Sequence, residues 1–298
     1  MTVTSIAERI GIIGTGRVAR AFALGLRDRS HQPLLIWGRT PARTIDMMRE
    51  VGPSCEAAED LQALATNCDT LVIAVADDAI APLAADLAQW PLPVVPFVCH
   101  LSGGSGTAPL SCLEAIGART AAVHPAMTFT GDPHTEVARM AQAHFAVTGS
   151  SAAATDAGMA LVRALGGTGV EVAEEHRPLY HAALCHAANH LVTLIAGSSD
   201  ALRRAGIDRP GDFLAPLARA ALENSLSKGM AALSGPVLRG DAGTVARHFR
   251  AIATDDPALM APYRAMALAT LDALGERRQP AGKELEKLLA PDRLTPPR

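Results

Sequence analysis

Residues 9–26, RIGIIGTGRVARAFALGL, place a short apolar run directly before a helical pattern, with a glycine turn between them. Residues 9–13 predict a buried strand and 17–29 a helix, joined by Gly14-x-Gly16-x-x-Ala19. A strand that turns straight into a helix commits the chain to a crossover unit and a parallel sheet. In that setting Gly14 permits the tight turn and Gly16 lets the backbone approach a pyrophosphate. Ala19 keeps the helix close to its strand, and free N–H groups at the helix start face the anion. Gly14, Thr15, Gly16, Arg17 and Val18 are therefore the candidate phosphate-binding residues. The other reading is a tight turn with no ligand.

Further strands are expected at 33–37, 70–75, 94–99, 120–124, 144–148 and 169–173, with helical patterns between several of them, notably 56–66, 78–89 and 151–165. Apolar strands alternating with helices predict an α/β fold, a Rossmann-type doubly wound parallel sheet covered on both faces. After residue 173 the strand signals stop. Ala/Leu-rich segments at 175–197, 211–227, 241–255, 257–275 and 282–290 predict an all-α C-terminal domain. The boundaries are 1–173 for the dinucleotide-binding domain and 174–298 for the helical one. Aromatic residues make up only 3% of the chain, which fits helix better than an all-β architecture.

A formal net charge of −3 with no basic run argues against nucleic acid or an anionic membrane as the main partner. No apolar run approaches the roughly 20 residues that a membrane span needs. The five cysteines (55, 68, 99, 112 and 185) form no C-x-x-C pair, and no cationic, apolar leader precedes the first strand. Reduced thiols in a cytoplasm are expected.

Discrimination between NAD and NADP normally lies at the end of the second strand. Trp37-Gly38-Arg39-Thr40 stands there, where an NAD site usually shows Asp or Glu. A guanidinium at Arg39 pairs with a 2′-phosphate and Thr40 adds a hydroxyl, so the expected cofactor is NADP(H). Alternatively, Arg39 is a solvated surface charge.

With these pieces in place the chain resembles, along nearly its whole length, the Rossmann-like proteins with a C-terminal DUF2520 domain. Their wider relatives include 6-phosphogluconate and 3-hydroxyisobutyrate dehydrogenases, ketopantoate reductase, prephenate dehydrogenase and pyrroline-5-carboxylate reductase. The resemblance is carried by GIIGTGRVA, by Ala76-Asp77-Asp78-Ala79-Ile80, by HLSGGSG at 100–106 and by HPAMTF at 124–129. It is carried further by YHAALCHAANHLVTL at 180–194 and LSGPVLRGDAGTVARHF at 233–249. It implies an NADP-dependent oxidoreductase, with Ala76 at the cofactor and a helical domain that often dimerises, so a homodimer is expected.

In the 3-hydroxyisobutyrate dehydrogenase relatives a Ser-Gly-Gly loop holds the substrate carboxylate, and Ser102-Gly103-Gly104 resembles that loop. Glycines expose amides to an anion; a simple turn after the fifth strand is the other reading. Those relatives also use a Lys-x-x-x-Asn pair on the first helix after the sheet. Here that register reads Cys185-x-x-x-Asn189, without the lysine. His181, Cys185 and Asn189 share one helical stripe. His181 is a candidate general acid, and Asn189 a donor to the reacting oxygen; an inter-helix seam is the alternative for both. His124 stands in a His-Pro pair resembling that of prephenate dehydrogenases, whose histidine contacts substrate. It ends a strand on the ligand-binding edge as a further catalytic candidate; a capped strand-end histidine is the other reading, and His100 is held in reserve. Arg239 either clamps a carboxylate or pairs with Asp241, which is expected to cap the following helix with Thr244. His186 and His190 are spaced for a metal, but no third ligand has matching spacing, so no metal is expected.

The leading expectation is an NADPH-dependent reductase of a small carboxylate-bearing carbonyl compound, with ketopantoate the first substrate by resemblance. The alternatives are an imine reductase of the pyrroline-5-carboxylate type, for which the missing lysine matters less, and a non-catalytic NADP(H)-binding regulatory protein.

Overall fold

The computed structural model describes residues 5–92, 95–275 and 282–290. Its strands are β1 (Ile10–Ile13), β2 (Leu34–Trp37), β3 (Cys55–Ala57), β4 (Thr70–Ile73), β5 (Phe97–His100), β6 (Arg119–Pro125), β7 (His144–Gly149) and β8 (Thr168–Glu171). Among them run α1 (Arg17–Leu26), α2 (Pro41–Val51), α3 (Leu61–Asn67), α4 (Asp77–Leu87), α5 (Ser111–Glu114), α6 (Pro133–Met140) and α7 (Ala152–Ala164). There follow α8 (Arg177–Arg204), α9 (Pro210–Lys228), α10 (Ala242–Asp255), α11 (Met260–Leu274) and α12 (Gly282–Leu289).

The eight strands form one sheet in the order β3-β2-β1-β4-β5-β6-β7-β8. The expected Rossmann-type α/β fold is thus present, and among the described residues the regular elements after β8 are helices. Alternation along each strand feeds two cores. Ile10, Ile12 and Val72 pack on one face with Phe22 and Phe145. Ile13, Leu71 and Ile73 pack on the other with Leu64 and Ile80. Strand order reverses between β1 and β4, which opens a crevice beyond the carboxyl ends of these strands.

The structure departs from the sequence reading in several elements. Residues 55–57 form the edge strand β3, and the helix expected from 56 starts only at Leu61. There Asp60 accepts the Ala63 N–H at 2.6 Å and fixes the N-terminus. β7 runs antiparallel to β6, with Pro125 opposite Phe145, while the other strand pairs are parallel. The link through α6 leaves and re-enters the sheet at one edge, so it makes no crossover. Helices α2 and α6 had no expected counterparts; each begins with proline at its first position, Pro41 and Pro133.

Two compact units divide at Ala188 and Asn189, inside α8. The sequence changes character near residue 173, but the first turns of α8 pack with the sheet. The second unit has its own core of Val245, Phe249, Ala267, Leu271, Leu285 and Leu289. Among the described residues no helix is long and apolar enough to cross a membrane.

Candidate active site

The glycine turn lies at the strand-order reversal. Gly14 has φ +122°, and a Cβ there would come within 2.2 Å of the Ala74 carbonyl oxygen on the neighbouring chain segment. Only glycine fits. A Cβ on Gly16 would instead meet nothing within 4 Å, so the backbone faces open space. Gly16 caps α1 with no side-chain hydrogen bond, and the first turn holds no acidic residue. The N–H groups of that turn are thus oriented for an anion, and a pyrophosphate fits this cradle.

Arg20 braces the turn, donating from Nε to the Thr15 carbonyl at 3.3 Å and pairing with Glu50 at 2.9 Å. A Cβ on Gly38 would lie 2.6 Å from Thr15 Cγ2, which explains glycine ahead of Arg39. Arg39 and Thr40 are both exposed at the start of α2, and Thr40 makes no side-chain cap bond there. A guanidinium and a hydroxyl thus stand exposed at that place, the group types that pair with a 2′-phosphate. Ala76 caps α4 in extended conformation at the same sheet edge.

The second cluster forms beyond β5 and β6. His100 is fully buried. Its Nδ1 accepts the Ser102 N–H at 3.1 Å, which leaves the proton on Nε2 to donate to the Gly106 carbonyl at 2.6 Å. Burial lowers its pKa, so His100 is a neutral brace for the turn. The Ser102 hydroxyl donates to Asp77 Oδ2 at 2.9 Å, tying the turn to α4.

Above the turn stand two imidazoles. A Cβ on Gly103 would lie 2.7 Å from His181 Cδ2 and 2.9 Å from His124 Nε2, and one on Gly104 would lie 3.2 Å from His181 Nδ1. The two rings cross edge to face at 5.7 Å. His124 Nδ1 shares a hydrogen bond with the Tyr180 hydroxyl at 2.9 Å, and His181 Nε2 lies 3.5 Å from Cys185 Sγ. Burial, then the neighbouring His181 and Arg177, lowers the His124 pKa to about 4, and burial raises that of Tyr180. At neutral pH His124 is uncharged and Tyr180 is a phenol.

Beneath the turn lies a residue that the sequence reading missed. Arg177 is fully buried at the first position of α8. Its Nε donates to Thr148 Oγ1 at 2.8 Å and its Nη2 to the carbonyls of Ala122 at 2.7 Å and Ala146 at 3.0 Å. Its Nη1 donates to the Ser102 carbonyl at 3.3 Å. Burial lowers its pKa to about 10, so it stays cationic at neutral pH.

The structure thus gathers Ser102, Gly103, Gly104, His124 and His181 in the first unit. Asn189, exposed, opens the second unit, and Arg239 is exposed within it. No ion pair between Arg239 and Asp241 occurs among the described residues, whereas Asp241 accepts the Thr244 N–H at 2.9 Å and caps α10 as expected. The member of the Cys-His helical stripe that meets the Ser-Gly-Gly turn is His181, one helical turn before Cys185. No group of three His, Cys, Asp or Glu side chains suited to a metal occurs among the described residues.

A glycine cradle at the strand-order reversal beside a polar turn at the ends of β5 and β6 is the layout of a dinucleotide-binding site with a second polar subsite next to it. Residues 9–95 match the family model described as NADP oxidoreductase, coenzyme F420-dependent, and residues 143–270 match that of DUF2520. One region of the chain is thus similar to the NADP oxidoreductase family and another to DUF2520, and the second match begins next to β7, where the sheet turns antiparallel. Among curated proteins none matches the chain. Solved structures share its fold. A Bacteroides fragilis protein provisionally described as an NADP oxidoreductase superposes with TM-score 0.73 at 20% identity, over 90% of this chain and 99% of its own. The reductive aminase from Aspergillus terreus, in complex with NADPH and ethyl-5-oxohexanoate, gives 0.68 at 18%, over 96% and 100%. The 1-pyrroline-5-carboxylate reductase of Streptococcus pyogenes gives 0.61 at 17%, over 94% and 100%.

Proposed function

We propose that the chain is an NADPH-dependent reductase of a small carboxylate-bearing compound, and that it reduces a C=N bond in preference to C=O. The observation that carries this reading is the pair of imidazoles on Gly103, with His124 held neutral by burial and no lysine in the sequence of the first unit. An iminium is already protonated, so hydride addition gives a neutral amine without an acid. A neutral imidazole tolerates that cation, whereas an ammonium would repel it. NADPH, bound at Gly14–Val18 with its 2′-phosphate at Arg39 and Thr40, supplies the hydride. The amides of Gly103 and Gly104 receive the substrate carboxylate, and His181 and His124 orient the reacting nitrogen. Asn189 as a further orienting donor and Arg239 as a carboxylate clamp remain proposals from the sequence. The family model, and neighbours named as pyrroline-5-carboxylate and imine reductases, support the reading.

The second reading is reduction of a 2-oxo acid such as ketopantoate. It is favoured by the Tyr180–His124 hydrogen bond, through which a proton passes to an alkoxide. Following NADPH absorbance with 1-pyrroline-5-carboxylate, cyclic imines and a series of 2-oxo acids separates the two. Turnover of imines alone supports C=N reduction, and turnover of 2-oxo acids alone overturns it. Tight NADPH binding with no turnover of any favours the regulatory protein.

We also infer that a second copy of the chain covers the second unit's long helices. On α9 only Pro210 is buried, while Phe213, Leu217, Leu222 and Leu226 are 47–80% exposed. Helices of this length depend on packing of an apolar face, and a homodimer supplies it.

A further inference from the structure

Arg177 is among the largest fully buried side chains of the protein, and its partners are all uncharged. No ion pair involves it among the described residues. Four of the roughly five N–H groups that a guanidinium offers are used, on acceptors from three places in the chain. Two of those acceptors are carbonyls of β6 and β7, one is the Thr148 hydroxyl, and one is the Ser102 carbonyl at the base of the Ser-Gly-Gly turn. Nearby carboxylates are engaged elsewhere. Glu174 accepts the Thr107 N–H at 2.7 Å, and Asp77 accepts the Ser102 hydroxyl. A buried cation without a paired carboxylate is costly, and a site that receives an anion gains from it.

We propose that Arg177 is the positioning residue of this site, holding the Ser102–Gly104 turn against β6 and β7 and supplying the fixed positive charge that draws a carboxylate to the turn. The carboxylate part rests on the function proposed above; the electrostatic part does not. Arg177 acts on His124 together with His181 and Tyr180 from α8, His100 from β5 and Asp77 from α4. Of these, the guanidinium is the fixed cation, and it disfavours a second positive charge on the imidazole.

Two variants test the proposal. Arg177→Met keeps the apolar stem and removes the charge; Arg177→Lys keeps the charge and loses the planar fork. The first measurement is the NMR titration of the His124 ring, which needs no turnover. The midpoint is expected to rise by about half a pH unit or more in Arg177→Met and to stay near wild type in Arg177→Lys. The second is kinetic, with NADPH and 1-pyrroline-5-carboxylate against the uncharged 1-pyrroline. KM for the carboxylate is expected to rise about tenfold or more in Arg177→Met and a few-fold in Arg177→Lys, with little change for 1-pyrroline. A folded Arg177→Met with wild-type His124 midpoint and wild-type KM overturns the proposal. Should that variant fail to fold, Arg177→Lys decides, because an unchanged KM for the carboxylate removes the positioning role. If neither imine is turned over, the function proposed above fails while the His124 titration still judges the charge effect.

Discussion

Gly103 sits where two imidazole rings close on the backbone, so the smallest possible side chain already collides with both. Gly103→Ala is expected to lower kcat/KM by at least about tenfold while the Kd for NADPH stays within about twofold, as read by turnover and by cofactor fluorescence. At the other end of the cleft, Arg39 is solvent-exposed without an ion pair among the described residues. Arg39→Ala is expected to raise KM for NADPH about tenfold or more and to leave NADH within about twofold. His124 makes stability depend on pH. Its folded pKa of about 4 lies below the ordinary 6.5, so the unfolded chain takes up a proton that the folded one refuses. The stabilising effect is complete above pH 6.5 and is lost as pH falls toward 4, about 3 kcal/mol at most. Denaturant midpoints between those values check this, and His124→Asn is expected to flatten the slope. His124, His181 and the Ser-Gly-Gly turn were legible as candidates because each sits in a recognisable local pattern. Arg177 was not: in RPLYHAAL it reads as a charge at a helix start, and its burial depends on carbonyls that only the β6–β7 pairing brings together.

At the level of elements, long alternating segments were legible and short edge pieces were not. The strand–turn–helix of β1 and α1 follows from apolar spacing and two glycines, and α7 begins where Ser151 accepts the Ala154 N–H at 3.3 Å. Ser151→Ala is expected to cost about 1 kcal/mol, visible in the denaturant midpoint with little change in activity. β3 spans only Cys55–Ala57, with one buried residue, and its pairing to β2 is a tertiary event with no local period to announce it. The reversed direction of β7 was hidden for a similar reason. An apolar run of this length fits a strand of either sense, and the connection decides.

For the whole chain, the sequence divides by composition near residue 173 while packing divides at 188, because the start of α8 belongs to the sheet. Sedimentation is expected to give about twice the 31.0 kDa chain mass, and Leu226→Glu, at a side chain 80% exposed, to shift it toward one copy. The sequence also holds just two tyrosines. Each donates or accepts through its hydroxyl at a histidine Nδ1, Tyr180 with His124 and Tyr263 with His248. One lies in the first unit and one in the second. Burial raises the pKa of both, so each phenol ionises late while its surroundings hold and near the ordinary value once they open. The absorbance of tyrosinate during alkaline titration therefore acts as a two-channel indicator. Replacing either tyrosine with phenylalanine leaves a single channel that reports the opening of one unit alone.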